Sequence, residues 1–326
     1  MNSRLKRIST FFRLILPILL KTGRRPVLFV RPGAMGDILC TFPAVLELKK
    51  RHPKATFIYS CQPDFACLPR LAGVTHHVTS AYFDRASLWS RVFSASYHFD
   101  YNTEASKASE ATIAQEFCRQ HSVTSDKSHS LLQISPASTA KVQNLLKQHG
   151  LRSGPIILLH PGPSWAIKHW STSNWAELVV KLREHGLTNI IQLGVNKQSE
   201  FGPLSSEFIP GVISLVNQLS VEETVALTAL SQLLIGIDSG LMHIATSVGV
   251  PAVGLFGPTS PQFLYAPTPS HSYAISQVDC QGCHHRSPRL HWVKNCPHNI
   301  KCMNSISVAE VLKHSLFQLK AVEPKP

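Results

Sequence analysis

No acidic residue occurs before Asp37, although eight of the chain's 32 lysines and arginines (Arg4, Lys6, Arg7, Arg13, Lys21, Arg24, Arg25 and Arg31) fall there. Most of the net charge of +13 is therefore confined to one stretch, because the rest of the chain carries 24 basic against 19 acidic residues. No recognised nucleic-acid module follows that stretch, which sets nucleic acid below other partners for the charge. A long hydrophobic run is also lacking. Phe11 to Leu20 is the most apolar early segment, but it is interrupted by Arg13 and Pro17 and falls short of the roughly 20 residues a membrane-crossing helix needs. A secretory leader fits poorly, since Lys21-Thr22-Gly23-Arg24-Arg25 stands where a small-residue cleavage site belongs. Residues 1–25 thus read as a basic, apolar segment suited to an anionic membrane surface, with a solvated tail as the plainer alternative.

With 16% charged and 44% hydrophobic residues, the 326-residue chain has the composition of a globular protein long enough for two cores. Its eight cysteines fall into two sets. Cys40, Cys61, Cys67 and Cys118 are scattered and read as small buried hydrophobes. Cys280-x2-Cys283 and Cys296-x5-Cys302 form a cluster in the 280–302 region, and clustered thiols in a reducing compartment point to a metal or redox site.

Apolar runs followed by helical periods recur along the chain. Val27-Leu28-Phe29-Val30 reads as a buried strand leading into Arg31-Pro32-Gly33-Ala34-Met35-Gly36-Asp37, after which Ile38, Leu39, Phe42, Val45 and Leu48 keep a helical spacing. Asp37 opens that helix. A carboxylate there offsets the helix dipole; in a glycine-rich turn at a strand's C-terminal end it is also where a general base belongs, and spacing alone does not separate the two roles. Helix Thr139 to His149, closed by Gly150, is expected to end the first half.

The second half begins with strand Pro155 to His160 and a turn through Pro161-Gly162-Pro163-Ser164, followed by Lys168-His169-Trp170. Lys168 at such a turn suits phosphate oxygens, against the plainer reading of a solvated surface charge. The most informative stretch is Leu234 to Pro261: a buried strand, the turn Asp238-Ser239-Gly240, and a helix carrying His243. Ser239 can cap the helix, Gly240 permits close approach of a ligand, and the first-turn N–H groups suit an anion. An ordinary crossover whose Ser and Gly only cap and turn is the alternative. The resulting expectation is α/β, two Rossmann-like domains divided near residue 150, with the cleft between them as the natural site.

Three motifs in order carry a resemblance: Val27 to Arg31 with Gly36-Asp37-Ile38-Leu39, His160-Pro161-Gly162 with Lys168-His169-Trp170, and Asp238-Ser239-Gly240-x2-His243 with Phe256-Gly257-Pro258-Thr259. Together, over about 26–312, they resemble glycosyltransferase family 9, the ADP-heptose:lipopolysaccharide heptosyltransferases. The resemblance implies a GT-B fold with an acceptor domain at 26–150 and a nucleotide-sugar donor domain at 151–326. It also implies inverting transfer of a heptose from a nucleotide-diphospho-sugar to the lipopolysaccharide inner core, with no cofactor required for the chemistry. Asp37 would be the base. Ser164 and Lys168 would hold the diphosphate, Glu200 would stand near the ribose, and Asp238, Ser239, Gly240 and His243 would complete the donor site. Departures occur at Arg31 to Met35 and at Trp165, where relatives carry hydroxyl residues.

By the same resemblance, Cys280, Cys283, Cys296 and Cys302 would be ligands of a structural Zn or Fe, although the x5 spacing is wide and His284, His285 and His298 compete. A lipid-linked saccharide acceptor, an anionic inner-membrane surface and a place on the cytoplasmic face of the inner membrane follow, with nucleic acid not expected. A protein acceptor, a nucleotide-sugar-binding protein without transfer activity and an epimerase remain as alternatives.

Overall fold

A computed structural model of the chain describes residues 9, 11–79, 92–101, 111–126, 131–151, 153–162, 165–199, 202–204, 206–286 and 296–321. Two of the expected site residues, Ser164 and Glu200, lie outside the described residues.

The chain forms two compact units, residues 1–133 and 134–326. In the first, the all-buried run Val27–Val30 becomes β1, joined by β2 (Phe57–Cys61), β3 (His76–Thr79) and β4 (Ala95–His98). The strands are parallel, in the order β3-β2-β1-β4. Such a sheet is covered on both faces, which is why β1 reads as a continuous hydrophobic run. A short helix, α1 (Leu16–Thr22), precedes β1, and α2 (Met35–Arg51) follows it, burying Ile38, Leu39, Phe42, Val45 and Leu48 and ending in Lys49, Lys50 and Arg51. Cations in the last turn suit the helix dipole. Helix α3 (Ile113–Gln120) packs on α2, its first turn closed by a reciprocal cap between Thr112 and Gln115.

The second unit opens with α4 (Pro136–Gln148) and continues through β5 (Ile156–His160), α5 (Thr172–Glu184), β6 (Asn189–Gln192) and an antiparallel pair, β7 (Lys197–Ser199) with β8 (Gly202–Leu204). Strand β9 (Ile213–Ser214), helix α6 (Val221–Leu230), β10 (Leu233–Ile237), α7 (Gly240–Val248), β11 (Ala252–Phe256), β12 (His271–Ile275) and α8 (Val308–Lys320) complete it. The sheet order is β12-β11-β10-β5-β6-β9, all parallel. Counted by first appearance in the unit, that is 3-2-1-4-5-6, the doubly wound order of dinucleotide-binding folds. Its core includes Ile157, Leu159, Ile235, Ile237 and Val253 together with Trp170 and Trp175, and the Trp170 indole N–H donates to the Ile306 carbonyl at 2.9 Å.

The division between units falls at Gln133/Ile134, whereas sequence periodicity places it near 150. The difference is helix α4. It packs against α6 of the second unit, with Lys141 Nζ 3.7 Å from Glu223 Oε1, and so opens that unit instead of closing the first.

Candidate functional site

In open α/β sheets, ligands bind beyond the carboxyl ends of the strands where the strand order reverses. In the first unit that point lies between β1 and β4, and it is where Asp37 is found. The chain leaves β1 at Arg31 and turns through Gly33 into α2. Asp37 is then fixed from two sides: its Oδ1 accepts from Arg31 Nη2 at 2.7 Å and its Oδ2 from the Ala34 backbone N–H at 2.9 Å. Arg31 is held in turn by a 2.9 Å bond from Nη1 to the carbonyl of Phe99, just after β4, and lies over the ring of Phe117. One guanidinium thereby ties the ends of both switch-point strands to the carboxylate. Gly33 has a steric reason to be glycine, since a Cβ there would lie 2.8 Å from Asp37 Oδ2. Asp37 keeps 31% of its side chain exposed, so an incoming hydroxyl can reach it. Sequence reasoning identified Asp37 but gave Arg31 no role; the one available signal was an arginine ending an otherwise apolar strand.

In the second unit the switch point lies between β5 and β10, and it gathers Lys168, Asp238, Ser239, Gly240 and His243. Lys168 follows β5 in a 3-10 turn (Ala166–Lys168), and Asp238 follows β10. Lys168 Nζ donates to Asp238 Oδ2 at 2.6 Å and to the Asp238 carbonyl at 3.2 Å, both side chains being over nine-tenths buried. The Trp165 ring centroid lies 4.1 Å from the same ammonium, and Thr259 Oγ1 donates to Asp238 Oδ2 at 2.8 Å. Burial alone would raise the Asp238 pKa. The Lys168 charge and hydrogen bond, then Thr259 and His243, outweigh it and hold the carboxyl below its usual range. Lys168 is thus no solvated surface charge: it is an internal cation. Thr259 and Trp165 are the members of this cluster to which the sequence alone assigned no partner.

Helix α7 starts at this point. Ser239 is its cap, its Oγ accepting from the Leu241 N–H at 3.3 Å, and Gly240 is its first residue. The first turn places the positive end of the helix dipole beside the Lys168–Asp238 pair, an arrangement suited to phosphate. His243, one turn in, stacks on Tyr265 at 4.6 Å between centroids. Its neighbour His271 is buried, and desolvation, with His243 adding to it, pushes its pKa down to about 4.

The cysteine loop is a brace for this site. Gly282 N–H donates to Gly257 O and His284 N–H to Pro258 O, each at 2.9 Å, while the Gln281 side chain donates to Thr259 O at 3.1 Å. Cys302 is seated where a Cβ on Gly257 would lie 2.8 Å from its Sγ. Burial pushes the Cys302 thiol up to about 11, with Cys280, Cys283 and Cys296 near enough to add to the shift. Among the described residues, however, no three His, Cys, Asp or Glu side chains are grouped to hold a metal ion. The expected structural Zn or Fe finds no ligand set among them.

A comparison with protein families matches residues 62–293 to glycosyltransferase family 9 (heptosyltransferase), a span of more than half the chain. The chain belongs to that family. Among curated proteins it is 30% identical over 129 residues to lipopolysaccharide heptosyltransferase 1 of Pseudomonas aeruginosa. That alignment covers 39% of this chain and spans 36% of the relative. Among solved structures, the iron-containing dodecameric glycosyltransferase TibC of enterotoxigenic E. coli superposes with a TM-score of 0.65 at 18% identity, covering 92% of this chain and 77% of that one. The E. coli ADP-heptose lipopolysaccharide heptosyltransferase II gives 0.60 at 17%, covering 91% and 99%. The two parallel α/β units are thus those of the GT-B heptosyltransferases.

Proposed function

We propose that this chain transfers a heptose from a nucleotide-diphospho-sugar, ADP-heptose, to the lipopolysaccharide inner core on the cytoplasmic side of the inner membrane. The observation that carries the reading is Asp37, a partly exposed carboxylate clamped by Arg31 at the switch point of a family 9 fold. An acceptor hydroxyl oxygen attacks the anomeric carbon as its proton passes to Asp37; the bond from that carbon to the phosphate oxygen breaks, and its electron pair leaves on the nucleoside diphosphate. Attack opposite the leaving group inverts the anomeric centre. Both Asp37 oxygens accept one hydrogen bond, which fixes the carboxylate plane yet leaves lone pairs for the proton.

The charge gathering on the leaving diphosphate is met by the first turn of α7 and by Lys168, which has donors committed to Asp238 and so does not reorganise as charge develops. Ser164 and Glu200 are assigned to the diphosphate and ribose by family resemblance alone.

Transfer assays with Asp37→Asn test the base. Turnover is expected to fall by roughly 100- to 10,000-fold, while thermal stabilisation by ADP persists. Loss of nucleotide stabilisation along with turnover would reassign Asp37 to binding. Stabilisation of the wild-type chain by UDP or GDP in place of ADP would overturn the donor. A protein acceptor is the second reading; labelling of protein and not of core-truncated lipopolysaccharide would establish it.

A further inference from the structure

Arg13, Lys21 and Arg24, which also precede Asp37, take no part in either cluster. Among the described residues, the segment carrying them is a π-helical turn (Phe11–Ile15) running into α1, and it is folded onto the first unit. Ile15 and Ile18 are buried against Leu28, Val30, Ile58, Val78 and Phe93. The opposite side is apolar as well: Phe12 is 60% and Leu20 78% exposed, the latter the most exposed large hydrophobic side chain among the described residues. Arg13, Lys21, Arg24 and Arg25 are exposed in the same segment. The helix is closed by Gly23 in the left-handed region (φ 64°), whose N–H donates to Leu19 O at 2.8 Å.

We propose that this face docks on an anionic lipid bilayer surface, with Phe12 and Leu20 entering the headgroup region and the surrounding cations contacting lipid phosphates. Two features on one face are needed for the inference. Cations alone would suit nucleic acid, but there Phe12 and Leu20 would be left against phosphate or water; large apolar groups beside cations match a surface that is charged outside and apolar a few ångströms beneath. A solvated tail would not bury Ile15 and Ile18. Because that buried side already holds the segment on the sheet, binding orders little further backbone. The docking is independent of the sugar-transfer reading and is measured without donor or acceptor.

The test is co-sedimentation of the full chain with vesicles of pure phosphatidylcholine and with vesicles containing phosphatidylglycerol. The anionic vesicles are expected to bind at least about tenfold more tightly, with the difference shrinking as salt rises. Replacing Arg13, Lys21, Arg24 and Arg25 by Gln should weaken binding by roughly fivefold per charge. Phe12→Ser with Leu20→Ser should weaken it by about tenfold or more, with the thermal midpoint unchanged because both positions are exposed. Equal binding to both vesicle types, no binding to either, or insensitivity to the Phe12/Leu20 substitutions would each overturn the proposal. Tight binding to duplex DNA that depends on the four cations but not on Phe12 and Leu20 would overturn it in favour of nucleic acid.

Discussion

Lys168 and Thr259 bind the same oxygen of Asp238: Nζ lies 2.6 Å and Oγ1 2.8 Å from Oδ2. With the indole of Trp165 also against the ammonium, a residue following β5 and one following β11 are both committed to the carboxylate that follows β10.

Lys168→Met leaves that carboxylate buried and unpaired, and should lower unfolding free energy by about 3–5 kcal/mol in urea denaturation. Lys168→Met combined with Asp238→Leu should recover most of the loss, because the remaining site is apolar. A loss below about 1 kcal/mol in the single variant would show that the pair behaves as a solvated one.

Gly33→Ala introduces a Cβ that overlaps Asp37 Oδ2. Displacement of the base should cost on the order of a hundredfold in kcat, with the donor KM and the thermal midpoint near wild type. A change in KM alone would place Gly33 in substrate binding instead.

Arg31→Gln removes the guanidinium that links Asp37 to the Phe99 carbonyl. A drop of roughly tenfold to a hundredfold in kcat is expected from the loss of a charged hydrogen bond. Arg31→Lys should recover part of it, since a single ammonium cannot form the same fork. Nucleotide-induced thermal shifts, which report the other unit, should be unaffected by either change.

Stability should fall as pH drops below 7. His160 is buried at the end of β5, and desolvation, only partly offset by its bond to the Leu193 carbonyl, pushes its pKa down to about 4; His271 is pushed to about 4 as well. A histidine with a depressed folded pKa takes up its proton in the unfolded chain first. The stabilisation is therefore complete above about 6.5 and is lost as pH falls from there towards 4. By pH 5 each imidazole should account for about 2 kcal/mol, before most carboxylates titrate. Thermal midpoints from pH 7 to 5, compared with His160→Asn, measure the slope; an unchanged slope in the variant would count against a neutral buried His160.

Local pattern was enough for the strand and helix alternation, for Asp37 at the start of α2, and for the Ser239 cap with Gly240 behind it. Hydrophobic period, caps and turn residues act over a few positions, so they are written in the chain itself. What depends on packing was out of reach of such short-range signals. Nothing near Lys168 in sequence shows that it is buried against an acid 70 positions away, because only the doubly wound order brings the ends of β5 and β10 side by side. Helix α4 has a clear pattern of its own, but its partner α6 decides the unit to which it belongs. The segment before β1 likewise declared its charge and apolarity, while its anchoring through Ile15 and Ile18, and the outward turn of Phe12 and Leu20, were decided by the sheet it covers.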